Sequence, residues 1–138
     1  MESKNLSGKY PAVVKSYNQA TRTCKIAIQG FTDGSEEELE AELEYPLGDK
    51  SKQGSYATEI EVLPNDLVWV MFIGGDARYP LVTGYRNPQT GNSADCRRFH
   101  HKNIELVADT KIKLIVGGST LEITSSGIKL NGSRIDLN

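Results

Sequence analysis

The chain has only two cysteines in 138 residues, Cys24 and Cys96, which excludes a multi-bridge disulfide scaffold and any four-cysteine zinc site. A single Cys24–Cys96 bridge is disfavoured in a chain folded in reducing cytoplasm. Long apolar runs are also missing: none reaches the roughly 18 residues that a membrane-spanning helix needs. No basic stretch followed by an apolar one opens the chain, so no signal peptide is expected. With one tryptophan, two methionines and 7 % aromatics, the hydrophobic fraction is 38 %, lean for a self-sufficient core of this length. Either part of the chain is poorly buried alone, or other chains complete its burial. The 13 glycines suit many turns and short strands better than a helical bundle.

Charge is nearly balanced, at −2 from 16 basic and 18 acidic residues, but it is unevenly placed. The run from Asp33 to Glu44 carries Asp33, Glu36, Glu37, Glu38, Glu40, Glu42 and Glu44 with no base. Outside that run eleven acids face sixteen bases, a remainder of +5 that is weak grounds for nucleic-acid binding. The run reads as an acidic solvated surface rather than a cation site.

Period-two alternation dominates the pattern. Tyr10 to Tyr17 and Thr23 to Gly30 flank the turn-forming Asn18-Gln19-Ala20-Thr21 and predict a β-hairpin, with Cys24, Ile26 and Ile28 on one face. Over Glu38–Tyr45, Leu39 and Leu43 fit a helix, but Leu39, Ala41, Leu43 and Tyr45 also alternate without a break. The strand reading is taken there, because Pro46 ends the run and its neighbours are strands. Lys50 to Ser55 is a polar loop. After the turn Pro64-Asn65-Asp66, the apolar run Leu67–Ile73 predicts a buried strand, and Pro80–Tyr85 a further one. Five short strands suggest a small OB-type barrel over 1–92. The turn-rich stretch Asn87–Ser93 marks its boundary, 93–103 is a linker or collar, and a different pattern fills 104–138.

There Ile104, Leu106, Ala108, Thr110, Ile112, Leu114 and Val116 hold one phase. Apolar pairs then recur every seven residues: Leu114 and Val116, Leu121 and Ile123, Ile128 and Leu130, Ile135 and Leu137. A coiled coil is excluded, because heptad seams need gaps of three and four whereas these gaps are two and five. Two residues on turns about 200° around a helix but keeps both side chains on one face of a strand. With Gly117-Gly118-Ser119, Ser125-Ser126-Gly127 and Asn131-Gly132-Ser133 in the gaps, the pattern predicts strands and corners, as in a β-solenoid or intertwined β-helix. Two apolar residues per seven do not close a core in one copy. Three copies around an axis do, so a rod-like homotrimer is expected, with Ile104, Leu106, Ile112, Leu114, Val116, Leu121, Ile123, Ile128, Leu130, Ile135 and Leu137 at its core.

The stretch Asp66–Tyr85, with Val68, Trp69, Phe72, Gly75, Asp76, Pro80 and Gly84, resembles the signature of the OB domains in central spikes of contractile-tailed bacteriophages. Ala41–Leu47 looks like the strand preceding it, and the 114–137 repeat is similar to the trimeric β-helix that follows. Together these cover nearly the whole chain in the expected order. The resemblance implies an all-β homotrimer, an OB-fold barrel followed by an intertwined triple-stranded β-helix. It implies a virion protein of the tail baseplate, made in the host cytoplasm, related to type VI secretion spikes and bound through its barrel to the tail hub. Sheath contraction would drive the needle through the bacterial outer membrane, with no covalent chemistry. Relatives with a lysozyme domain carry it where this chain has only Ser93–Asn103, and the iron-binding His-x-His tip of short spikes has no counterpart. A separate small tip protein seated on Ile135 and Leu137 is a further expectation.

His100-His101, flanked by Arg97, Arg98 and Lys102, is compatible with metal, nucleic acid or phosphate. A solvated collar is the favoured reading, since adjacent strand residues face opposite ways and one chain offers one histidine. Gly74-Gly75-Asp76 lacks the lysine of a phosphate loop. No catalytic, cofactor or metal residue is assigned. The alternative is an OB-fold binder of single-stranded nucleic acid using Tyr79, Tyr85, Arg78 and Arg86, a reading the acidic run opposes.

Overall fold

The computed structural model describes residues 5–30, 38–46, 59–87, 90–91 and 93–138. The Lys50–Ser55 loop, Leu47, the acids Asp33, Glu36 and Glu37, and Pro88, Gln89 and Asn92 of the turn-rich boundary lie outside the described residues. The chain divides into two compact units, Met1–Asn92 and Ser93–Asn138.

In the first unit, β1 (Tyr10–Asn18), β2 (Thr23–Ile28), β3 (Leu39–Leu43), β4 (Leu67–Phe72) and β5 (Pro80–Tyr85) close a barrel in the order β1-β2-β3-β5-β4. Strand β4 returns to pair with β1, and only the β3–β5 pair is parallel, giving an OB-like barrel. Alternation fills it. Ala12 and Val14, then Cys24, Ile26 and Ile28, then Val68, Val70 and Phe72 all point inward and are buried. Segment Glu38–Tyr45 is extended because β3 pairs with β2 on one side and β5 on the other, which outweighs the helix propensity of its glutamates. Its inward set is Leu39, Ala41 and Leu43, and its outward set is the exposed row Glu38, Glu40, Glu42 and Glu44.

Two bulges adjust the closure. In β1 the pairing with β2 jumps between Val14 and Ser16, so Lys15 has no opposite residue and Tyr17 swings onto the core. Between β4 and β5, Trp69 faces Gly84 while Val70 faces Val82. The turn ahead of β4 forms as its residues dictate: Asn65 takes a left-handed φ of 75°, and the Asp66 carboxylate accepts the Leu63 N–H at 2.8 Å.

The second unit is an antiparallel meander of β6 (Lys111–Val116), β7 (Ser119–Thr124) and β8 (Gly127–Asn131). Within one chain the strands reverse direction at both gaps, where the sequence pattern predicts corners. Gly117-Gly118 and Ser125-Ser126 are two-residue hairpin turns. Gly117 opens the first with a φ of 55°, a conformation glycine adopts at no steric penalty. The strand expected from Ile104 starts only at Lys111, and Ile135 and Leu137 follow the last strand. Neither flank has a neighbouring strand to pair with, and period two without a partner makes no strand.

Candidate interaction surface

The barrel signature resolves into packing roles. Val68 and Phe72 lie in the core, Pro80 is the buried first residue of β5, and Trp69 points outward beneath the Arg86 guanidinium, 5.9 Å from its ring centroid. Gly75 and Asp76 shape the loop from β4 to β5. The Gly75 carbonyl accepts the Leu6 N–H at 2.9 Å, and the Asp76 carboxylate takes Arg78 through its backbone N–H, Nε and Nη2. Those Arg78 bonds hold the Asp76 carboxyl down to about 2. Gly84 is exposed, with open space where a Cβ would stand.

Some barrel contacts carry no sequence signal. Tyr17 donates to the Glu59 carboxylate, which also pairs with Arg22 at 2.9 Å. Burial first, and then Glu59, push the Tyr17 hydroxyl well above its ordinary value. These partners are 42 residues apart, and no spacing rule joins them. Recesses among the described residues line the barrel. One of about 40 Å³ lies against Val62, Val68 and Val82, and an open groove of about 270 Å³ runs beside Glu40, Glu42, Arg78 and Tyr79. Both fall below the roughly 300–1,000 Å³ typical of small-molecule sites. Among the described residues, no three His, Cys, Asp or Glu side chains gather around a point that would hold a metal ion.

Among the described residues, most of the exposed aliphatic side chains are in the second unit. Register places Ile112 opposite Ile123 and Ile123 opposite Ile128, and Leu114 opposite Leu121 and Leu121 opposite Leu130. Six aliphatic side chains therefore form two cross-strand rows on one face of the sheet, with Val116 at the end of β6 in the same phase. The opposite face carries Lys111, Lys113, Glu122 and Lys129, with Lys111 bridged to Glu122 at 3.2 Å, and Ile115 is its exposed apolar exception. A sheet with one face this apolar normally has a core behind it, yet residues 93–138 contain no buried side chain. Ile128 is 71 % exposed and Leu114 56 %. Of the predicted needle core, the meander brings together the seven residues between Ile112 and Leu130. Ile104, Leu106, Ile135 and Leu137 lie outside the strands, exposed. Comparison with known proteins finds no family model that matches the chain and no curated protein with a significant match.

Proposed function

We propose that the chain is the central spike of a contractile injection apparatus, a trimeric needle carried on OB-like barrels and free of covalent chemistry. The supporting observation is the second unit: two in-register aliphatic rows on one sheet face and no buried residue anywhere in 93–138. A three-stranded sheet lacking a covered apolar face is marginal in water. Stacking two copies face to face covers the rows but leaves four strand edges open. Three copies in a closed triangular section cover the rows and join each β6 edge to a neighbouring β8 edge, so no edge is left.

In this reading the exposed alternating flanks Ile104–Ala108 and Ile135–Leu137 gain partners from neighbouring copies and extend the needle at both ends. The barrel, complete within one chain, is the element that binds the tail hub. The needle transmits force into the bacterial outer membrane. Light scattering of the pure protein at micromolar concentration is expected to give three times the chain mass of 15.2 kDa. A monomer would remove the main support. Muramidase activity of the pure protein would contradict a purely mechanical role, and salt-sensitive oligonucleotide binding by a monomer would favour the nucleic-acid alternative.

A further inference from the structure

The segment from Arg97 to Lys102 has no place in the needle or the barrel. It contains Arg97, Arg98 and Lys102 with no acid among them, and none of the three pairs with a carboxylate among the described residues. The nearest acid upstream, Asp95, accepts a hydrogen bond from the Ser93 hydroxyl at 3.2 Å. Every residue from Ser93 to Lys111 is exposed, and the segment has no regular secondary structure. Phe99 is 72 % exposed, with the Arg97 guanidinium 5.3 Å from its ring centroid. The Lys102 N–H donates to His101 Nδ1 at 2.9 Å.

We infer that this segment is a contact site for an anionic phospholipid surface, with Arg97, Arg98 and Lys102 engaging headgroup phosphates of net negative lipids and Phe99 entering the headgroup layer. Unpaired cations beside a projecting aromatic side chain match what an anionic interface holds, a band of phosphate over an apolar layer. The guanidinium of Arg97 lies over the ring, so one pair of side chains presents both chemistries. A strand of nucleic acid needs successive stacking platforms in a basic groove, whereas this segment is a short, exposed stretch with no groove. The protein as a whole is at −2, so net charge does not draw it to anions, and the attraction is local and acts within a screening length of about 10 Å.

The full chain is to be floated with vesicles of phosphatidylglycerol and phosphatidylethanolamine, and separately with vesicles of phosphatidylcholine. Binding is expected only to the anionic vesicles and is expected to be released by 0.5 M salt, a concentration at which the Debye length falls to roughly 4 Å. The triple substitution Arg97→Ser, Arg98→Ser, Lys102→Ser should weaken it roughly a hundredfold, at about fivefold per cation. Phe99→Ser should weaken it too, without changing the salt dependence. Millimolar inorganic phosphate that abolishes vesicle binding, equal binding of the triple variant, equal binding to phosphatidylcholine, or tighter binding of a single-stranded oligonucleotide lost in the same variant would each overturn the assignment. The site is argued from one chain, so light scattering of the same samples separates its failure from that of the trimer.

Discussion

Gly75 is held by its surroundings and Gly84 is not. Gly75 takes a φ of 76°, and a Cβ there would overlap the Asn5 carboxamide oxygen and crowd the Leu6 backbone nitrogen. Gly75→Ala is expected to destabilise the barrel by about 1–3 kcal/mol in urea unfolding. Gly84→Ala should stay within about 0.5 kcal/mol of the parent. Both glycines stand out in the sequence as members of one signature, but the reason for Gly75 was not legible. It depends on a segment some 70 residues away that folds back on the loop. The two cysteines were legible, because Cys24 shares a phase with Ile26 and Ile28 while Cys96 lies among polar residues. Cys24 is buried and Cys96 exposed, and both are free thiols. A thiol reagent should therefore titrate one group in the native protein and two after unfolding. Burial lifts the Cys24 thiol from 9.0 to about 11. Its folded value is the raised one, so its contribution to stability is full below pH 9 and is lost as pH rises from there to 11. The loss by pH 11 is about 2 kcal/mol, and Cys24→Ala should flatten that part of the pH–stability curve.

At the scale of elements, periodicity tells which face of a strand is buried but not which strand lies beside it. The barrel strands were therefore readable one at a time, the inward sets of β2, β3 and β4 being unbroken alternations. The β1 bulge was not, because the extra residue Lys15 is visible only against the register of β2. In the second unit the pairs from Leu114 to Leu130 fall on strands, Ile135 and Leu137 do not, and the gaps between the strands hold hairpin turns. A corner and a hairpin both occupy a short glycine- and serine-rich gap, and backbone dihedrals decide between them. The Gly-Gly doublet at 117–118 was the available hairpin signal. The register now supplies a paired test. Ile123 lies on the central strand within the aliphatic face, and Ile115 lies on the opposite face. Ile123→Asp would place a carboxylate in each copy against an apolar interior, and is expected to abolish the trimer in light scattering while the barrel keeps its thermal transition. Ile115→Asp should leave the assembled mass unchanged. Loss of assembly in both variants, or in neither, would show that the aliphatic face is not what joins the copies.

At the scale of the whole molecule, the two units satisfy their strands in different ways. The barrel closes on itself by pairing β1 with β4 and β3 with β5, so its completion needs nothing from another chain. The meander has an open strand at each side. Closure and openness set different molecularities for two events in one polypeptide. Trp69, the single tryptophan, lies in the barrel, so its emission follows only that unit. After dilution from denaturant, the tryptophan signal should recover at a rate independent of protein concentration. Scattering, and protection of the 104–138 amides from exchange, should recover faster as concentration rises. Pairing in the barrel spans long sequence separations, whereas each meander turn needs only two residues, so the meander hairpins close quickly but are held only once their apolar face is covered. In the proposed trimer the sheet gains its cover only by collision with other copies, which makes subunit supply the variable that times needle formation.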